Sequence, residues 1–177
     1  MTEPIPETID GLDPQAVDYV IELARDVVAL GPGLGTGRDT RAFIKRLVDR
    51  ATVPLVIDAD GLNAFTDEPD RLAGRDGRDV IITPHPGEMA RLVGMSSDEV
   101  QASRLEIARN FAVAHHVYVV LKGHRTLIAT PDDKVFINPT GNAGMATGGT
   151  GDVLTGMIAG WLGQLLDAEA ACKLAVY

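Results

Sequence analysis

Asp152 closes the run TGGTGD (Thr147–Asp152) and opens VLTGMIAGWL, an apolar stretch with helical character. Gly148, Gly149 and Gly151 leave backbone amides uncovered, so they can converge on an anion, and a helix starting near Asp152 adds its positive end. Glycine also removes side-chain bulk where a phosphate and a hydroxyl could meet. An ionised carboxylate at that point could take the hydroxyl proton during phosphoryl transfer. The competing reading is a plain helix cap, the usual fate of an aspartate at a helix N-terminus. The flanking glycines weigh against it.

Four other stretches carry chemistry-bearing residues. GPGLGTG (Gly31–Gly37) spaces its glycines by two throughout, so it satisfies neither G-x-G-x-x-G nor G-x-x-x-x-G-K-[ST]. It reads either as a phosphate-holding loop or as a tight strand-to-helix turn. In IDADGLNAF, Asp58 and Asp60 could serve magnesium together with substrate phosphates, or could cap neighbouring amides in a turn. In TPHPGEMARL, Pro84 and Pro86 stiffen the backbone around His85, which favours a ligand contact, and Glu88 falls near a helix start. No matching ligand cluster supports zinc. Lys122, followed by Gly123 in KGHRT, can meet a phosphate as a point charge, or can be a solvated lysine.

The elements that must position these residues follow from periodicity. Pro14–Ala24 has helical spacing, and Asp26–Leu30 is a short strand-like run. Thr36–Arg50 reads as an amphipathic helix with Phe43, Ile44, Leu47 and Val48 on one stripe. VPLVIDADGLNAF is a buried strand with acids and a glycine at its carboxyl end, Ala73–Asp79 a solvated loop, and Val80–Thr83 a third strand. Ser96 and Glu99 form a capping-box pattern, which predicts a helix through about His115 burying Leu105, Ala108, Phe111 and Ala112. Val117–Leu121 is the most hydrophobic strand, and LIAT and VFIN form a hairpin beyond it. Gly156 and Gly160 predict a helix packed tightly on the sheet. Strands alternating with helices imply an α/β domain with a largely parallel sheet covered on both faces. Ligands bind at the carboxyl ends of such strands, and GPGLG, DADG, PHPGE and KGHRT all sit there.

The bulk composition narrows the partners. The formal net charge of -9 and pI near 4.8 argue against nucleic acid or anionic membrane, while a local basic pocket for phosphates stays open. The single cysteine, Cys172, excludes an internal disulfide framework and fits a reducing cytoplasm. No run reaches the roughly 18 apolar residues of a membrane span. MTEPIPETIDG lacks the basic and apolar regions of a signal peptide.

GGTGD followed by VLTGMIAG resembles the ATP-site signature of the ribokinase-like superfamily. Together with LGPGLG, VIDADGLNA, ITPHPGEMARL and VLKGHRT, in that family's order and over about Val27 to Leu162, the chain resembles the ADP/ATP-dependent NAD(P)H-hydrate dehydratases. The resemblance implies a three-layer α/β/α fold with a mostly parallel central sheet, forming a single domain over residues 1–177. It implies repair of hydrated NADH or NADPH: the ring hydroxyl is phosphorylated, and phosphate then leaves with help from the ring nitrogen. It also implies ADP or ATP and Mg2+ as cofactors, a homo-oligomer, and neither nucleic acid nor membrane as partner.

By the same resemblance Asp152 is the base on the hydroxyl, and Gly149 and Gly151 form the anion hole. Lys122, Gly123, His124, Arg125 and Thr126 contact the adenine nucleotide. His85 and Gly33 or Gly35 touch the hydrated dinucleotide, and Glu88 organises magnesium and phosphate. His85 stands where the kinases of the superfamily keep the Asn of Asn-x-x-Glu, which favours the dehydratase. Family members carry further N-terminal strands and C-terminal helices that have no counterpart here. Two other readings remain: a kinase of hydroxymethylpyrimidine- or hydroxyethylthiazole-type alcohols, and an inactive truncated domain that binds nucleotide or a partner chain.

Overall fold

The computed structural model describes residues 2–24, 26–164 and 167–177. A small antiparallel hairpin, β1 (Glu7–Thr8) and β2 (Gly11–Leu12), precedes helix α1 (Val17–Leu23). The main sheet then runs β3 (Val28–Leu30), β4 (Leu55–Ile57), β5 (Val80–Ile82) and β6 (Tyr118–Leu121), parallel and side by side in chain order. The expected hairpin, β7 (Leu127–Ala129) and β8 (Val135–Ile137), extends it antiparallel. Leu55, Ile57, Val80, Ile82, Val119 and Leu121 face one core, and Val56, Ile81, Val120 and Ile128 face the other. Burial on both faces explains why these strands read as continuous apolar runs.

Helices α2 (Arg38–Arg50), α4 (Pro86–Val93), α5 (Ser97–Ala102) and α6 (Arg104–His115) contribute to the first core. Helices α7 (Thr150–Leu162) and α8 (Ala168–Val176) cover the second. The three layers are those expected of a ribokinase-like domain. No helix among the described residues is long and apolar enough to cross a membrane.

Four local expectations change. The strand at VPLVIDADGLNAF is only β4; Asp58 ends it, and Ala59–Asn63 turn into a short helix, α3. The helix expected through His115 breaks at Ser103 (φ −132°, ψ 35°), which separates α5 from α6. The buried stripe therefore restarts in a new phase at Arg104, and Leu105 is exposed while Ala108, Phe111 and Ala112 are buried. Ala73–Asp79 is no simple solvated loop: Arg78 is buried and donates to the carbonyls of Ala51 (3.3 Å) and Ala73 (3.1 Å). Helix α7 does pack on the sheet, through Thr155, Ile158 and Leu162, but Gly156 and Gly160 face open space.

Candidate active site

The carboxyl ends of the parallel strands are tied to one another by backbone bonds beyond the regular ladders. Asp58 N–H donates to Leu30 O (3.1 Å), Thr83 N–H to Ile57 O (3.1 Å) and Lys122 N–H to Pro84 O (2.9 Å). Gly31 sits at the first of these ends with φ +136°, and a Cβ there would lie 1.8 Å from Asp58 O, so only glycine fits. These bonds set four loops at fixed separations before any side chain is considered.

Under the loops lies a charged cluster. Asp58 is buried; its Oδ1 accepts from Lys122 Nζ at 2.7 Å and its Oδ2 from Thr155 Oγ1 at 3.1 Å. Thr155 Oγ1 is 3.5 Å from Thr83 Oγ1, and Lys122 Nζ is 3.7 Å from Glu88 Oε2. A buried carboxylate and ammonium persist only when paired and hydrogen-bonded, and here each has its partners. The solvated-lysine alternative for Lys122 is thereby removed: its ammonium is held by two acids from different strand ends.

His85 and Glu88 are locked together at the start of α4. His85 is the N-cap, and its Nδ1 accepts from the amides of Gly87 (3.0 Å) and Glu88 (3.3 Å). Glu88 Oε2 in return accepts from His85 N–H at 2.7 Å, completing a capping box built on a histidine. Nδ1 as acceptor places the ring proton on Nε2, and the imidazole is half exposed. Asp60 is committed differently: its Oδ2 accepts from Gly35 N–H (2.9 Å) and its Oδ1 from Asn63 Nδ2 (3.3 Å). The turn reading of the DADG acids therefore holds for Asp60, and Gly33 and Gly35 lie exposed in the loop it anchors. Among the described residues no group of three or more His, Cys, Asp or Glu side chains is placed to hold a metal ion.

The opening of α7 contrasts with this closed cluster. Gly149 is its N-cap in the left-handed region, no side chain caps the helix, and the amides of Gly151 and Asp152 have no partner among the described residues. Asp152 is exposed in the first turn and makes no ion pair or hydrogen bond among the described residues, so it is not a capping residue. A Cβ on Gly151 would lie 3.3 Å from Lys122 Nζ and 3.5 Å from Asp58 Oδ2. The bare glycine thus brings the first turn of α7 directly over the Lys122 ammonium.

The last loop, Lys122–Thr126, has positive φ at Gly123 (+136°) and Arg125 (+55°). The side chains of His124 and Arg125 are exposed and unpartnered among the described residues. Thr126 Oγ1 donates to Gly123 O (3.1 Å). Arg104 reaches the same segment from α6, donating to the carbonyls of Leu121, Lys122 and His124. Arg104 and Thr155 were not singled out from the sequence. The signal for Thr155 is a polar residue on the inward stripe of an otherwise apolar helix, and Arg104 carries none.

This geometry can be set beside known proteins. The family model for NAD(P)H-hydrate dehydratase matches residues 5–177. The chain belongs to the NAD(P)H-hydrate dehydratase family. Among curated relatives it is 49% identical over 180 residues to the bifunctional NAD(P)H-hydrate repair enzyme Nnr of Moorella thermoacetica, covering 100% of this chain and 34% of that protein. It is 39% identical over 163 residues to the ADP-dependent (S)-NAD(P)H-hydrate dehydratase of Bacillus subtilis, covering 92% of this chain and 56% of that one. The crystal structure of the ADP/ATP-dependent dehydratase from Bacillus subtilis, co-crystallized with ATP/Mg2+, superposes with a TM-score of 0.78 at 36% identity, over 92% of this chain and 57% of that one. The chain thus spans between a third and three fifths of these three relatives. Within the family frame, the α7 opening, the capped His85–Glu88 pair and the Lys122 loop border one end of the sheet.

Proposed function

We propose that this chain carries out the nucleotide-dependent dehydration of hydrated NADH or NADPH, with residues 1–177 acting as one ribokinase-like unit. Asp152 takes the proton of the ring hydroxyl as its oxygen attacks the terminal phosphoryl group of ADP or ATP. The O–P bond forms and AMP or ADP departs. The ring nitrogen lone pair then expels the phosphate from carbon, and loss of a neighbouring ring proton restores the dihydropyridine.

The observation that carries this reading is the α7 opening, where the amides of Gly149, Gly151 and Asp152 and the Asp152 carboxylate, all without partners among the described residues, lie beside a lysine held in place by Asp58. Amides of Gly149 and Gly151 serve as the anion hole, an arrangement that stabilises charge as it develops. Lys122 to Thr126 hold the adenine nucleotide, and His85 with Gly33 or Gly35 hold the dinucleotide. The His85 ring is half exposed, with Nε2 3.4 Å from Glu88 Oε1, and its outer face is open to an amide or ribose of the substrate.

For magnesium the donor set is sparse. Glu88 is buried and faces Lys122, and no protein-only cage exists among the described residues. That fits a magnesium ion bound chiefly through nucleotide phosphates with a single carboxylate, the habit of this metal. When bound, it neutralises phosphate charge.

The test is to incubate the chain with hydrated NADH or NADPH, Mg2+ and ADP or ATP, and to follow reduced-nicotinamide absorbance. Nucleotide-dependent recovery supports the reading. No recovery, with phosphorylation of a thiazole or pyrimidine alcohol instead, assigns the site to a small-alcohol kinase. Nucleotide binding without either reaction leaves a nucleotide-binding domain.

A further inference from the structure

The backbone from Leu121 to Thr126 departs from the strand through an abrupt change of direction at Gly123, and the cluster beneath it does not explain its shape. What holds it is a guanidinium from another element. Arg104, the first residue of α6, donates through Nη1 to His124 O (2.7 Å) and through Nη2 to Leu121 O (3.1 Å) and Lys122 O (3.2 Å). We infer that Arg104 is a positioning residue for the nucleotide, fixing the Lys122–Thr126 loop in its ligand-binding shape. The inference rests on the nucleotide role proposed for that loop.

Peptide geometry gives the reason. In a trans peptide the carbonyl of one residue and the amide of the next point in opposite directions, and the chain has no cis peptide among its described residues. Drawing the Lys122 and His124 carbonyls onto Arg104 therefore turns the amides of Gly123 and Arg125 away from it. Both amides are unpartnered among the described residues, so they are free to donate to a ligand. The Leu121 carbonyl obeys the same rule, with the following amide, Lys122 N–H, directed to Pro84 O at 2.9 Å.

The fit is specific to both residues. Gly123 has φ +136°, a conformation that favours glycine, and a Cβ there would lie 3.1 Å from Arg104 Nη2, tighter than an ordinary contact. The three acceptors belong to Leu121, Lys122 and His124, which suits a planar fork of donors and not a point charge. Arg104 Nε is buried with no partner among the described residues, and burial pulls the guanidinium pKa below its usual value. This side chain is thus committed to the loop, at some cost in solvation. The break at Ser103 gives Arg104 its inward direction, because it resets the phase of α6.

The experiment compares wild type, Arg104→Gln and Arg104→Lys for ADP and ATP dissociation constants, melting temperature, kcat, and KM for the hydrated dinucleotide. Losing several charge-assisted hydrogen bonds predicts nucleotide binding weaker by about tenfold or more in the glutamine variant. Its kcat and dinucleotide KM should stay within about threefold of wild type, and the lysine variant should recover only part of the loss. Wild-type nucleotide affinity in Arg104→Gln overturns the inference. So does a parallel loss of every parameter together with melting temperature, which marks a purely structural residue. If the glutamine variant does not fold, Arg104→Lys decides alone: weaker nucleotide binding at an unchanged melting temperature supports the role, and unchanged binding overturns it. Absence of ADP and ATP binding in wild type brings down the nucleotide reading itself, which separates that failure from failure of Arg104 alone.

Discussion

Two neighbouring regions of the site are built on opposite terms. In the Asp58–Lys122–Thr155 cluster, Asp58 and Thr155 are buried and Lys122 is largely covered, and each side chain is hydrogen-bonded. The opening of α7 is exposed, with amides and an Asp152 carboxylate that have no partner among the described residues. Gly151 is where they meet: a Cβ there would lie 3.3 Å from the Lys122 ammonium. The contrast suits a division of roles under the proposed function. The lower layer fixes charge in place through folding energy, and the upper layer holds the amides and the carboxylate proposed to meet the ligand.

The largest expected effect tests the upper layer. Asp152→Asn should lower kcat by about a thousandfold or more, as for loss of a general base, with nucleotide affinity and melting temperature nearly unchanged. A variant that loses stability along with activity would break the contrast, since a free surface carboxylate has no folding partner to lose.

The lower layer should behave in reverse. Asp58→Ala leaves the Lys122 ammonium with Glu88 alone and Thr155 without its acceptor, and should cost about 1.5–3 kcal/mol of unfolding free energy, read from denaturant titration. The sharper version replaces the pair by apolar residues, Asp58→Leu with Lys122→Met. That double variant should regain most of the stability, as buried ion pairs exchanged for packed apolar groups do, but not the activity. Recovery of both would show that the cluster serves the fold only.

At the junction, Gly151→Ala should slow turnover by about ten- to hundredfold through displacement of Lys122 or of the first turn. Its melting temperature should move only a few degrees. Normal turnover would mean that the close approach of the two layers is incidental.

Away from the site the smallest effect concerns pH. Burial against Phe111 lowers the His115 pKa from its usual 6.5, opposed by Asp70 Oδ1 at 3.5 Å; the geometry pairs them, but desolvation is the larger influence. A lowered folded value means that the unfolded chain binds the proton more readily. The stability due to neutral His115 is therefore complete above about 6.5 and is lost as pH falls from there through the folded value. His115→Gln should flatten the stability profile in that acidic window and leave turnover near neutral pH unchanged. A profile identical to wild type would contradict the assignment.

Much of this arrangement was legible in the sequence because it is local. Strand positions followed from apolar runs, the Ser96–Glu99 cap from residue spacing, and the α7 opening from glycines beside Asp152. What was not legible depends on through-space encounters between distant strand ends. Asp58 and Lys122 are 64 residues apart, and nothing in DADG alone distinguishes an ion-pair acid from the amide cap that Asp60 became. His85 read as a stiffened ligand contact, but its role as a helix cap depends on its Nδ1 facing its own helix. Arg104 was hidden because periodicity assigned the inward position to Leu105, and only the break at Ser103 exchanges them. The glycines of α7 misled for a related reason: small residues mark a close approach or an open face equally well, and at Gly156 and Gly160 the face is open.

The most direct test of the central claim is the coupling between phosphate release and nicotinamide recovery. Hydrated NADH is supplied with ADP or ATP and Mg2+, and inorganic phosphate and reduced-nicotinamide absorbance are followed together in wild type and Asp152→Asn. One phosphate should be released for each reduced nicotinamide formed in wild type. In the variant neither product should appear, although nucleotide stays bound. Recovery of the nicotinamide without nucleotide, or at the wild-type rate in Asp152→Asn, would contradict that claim.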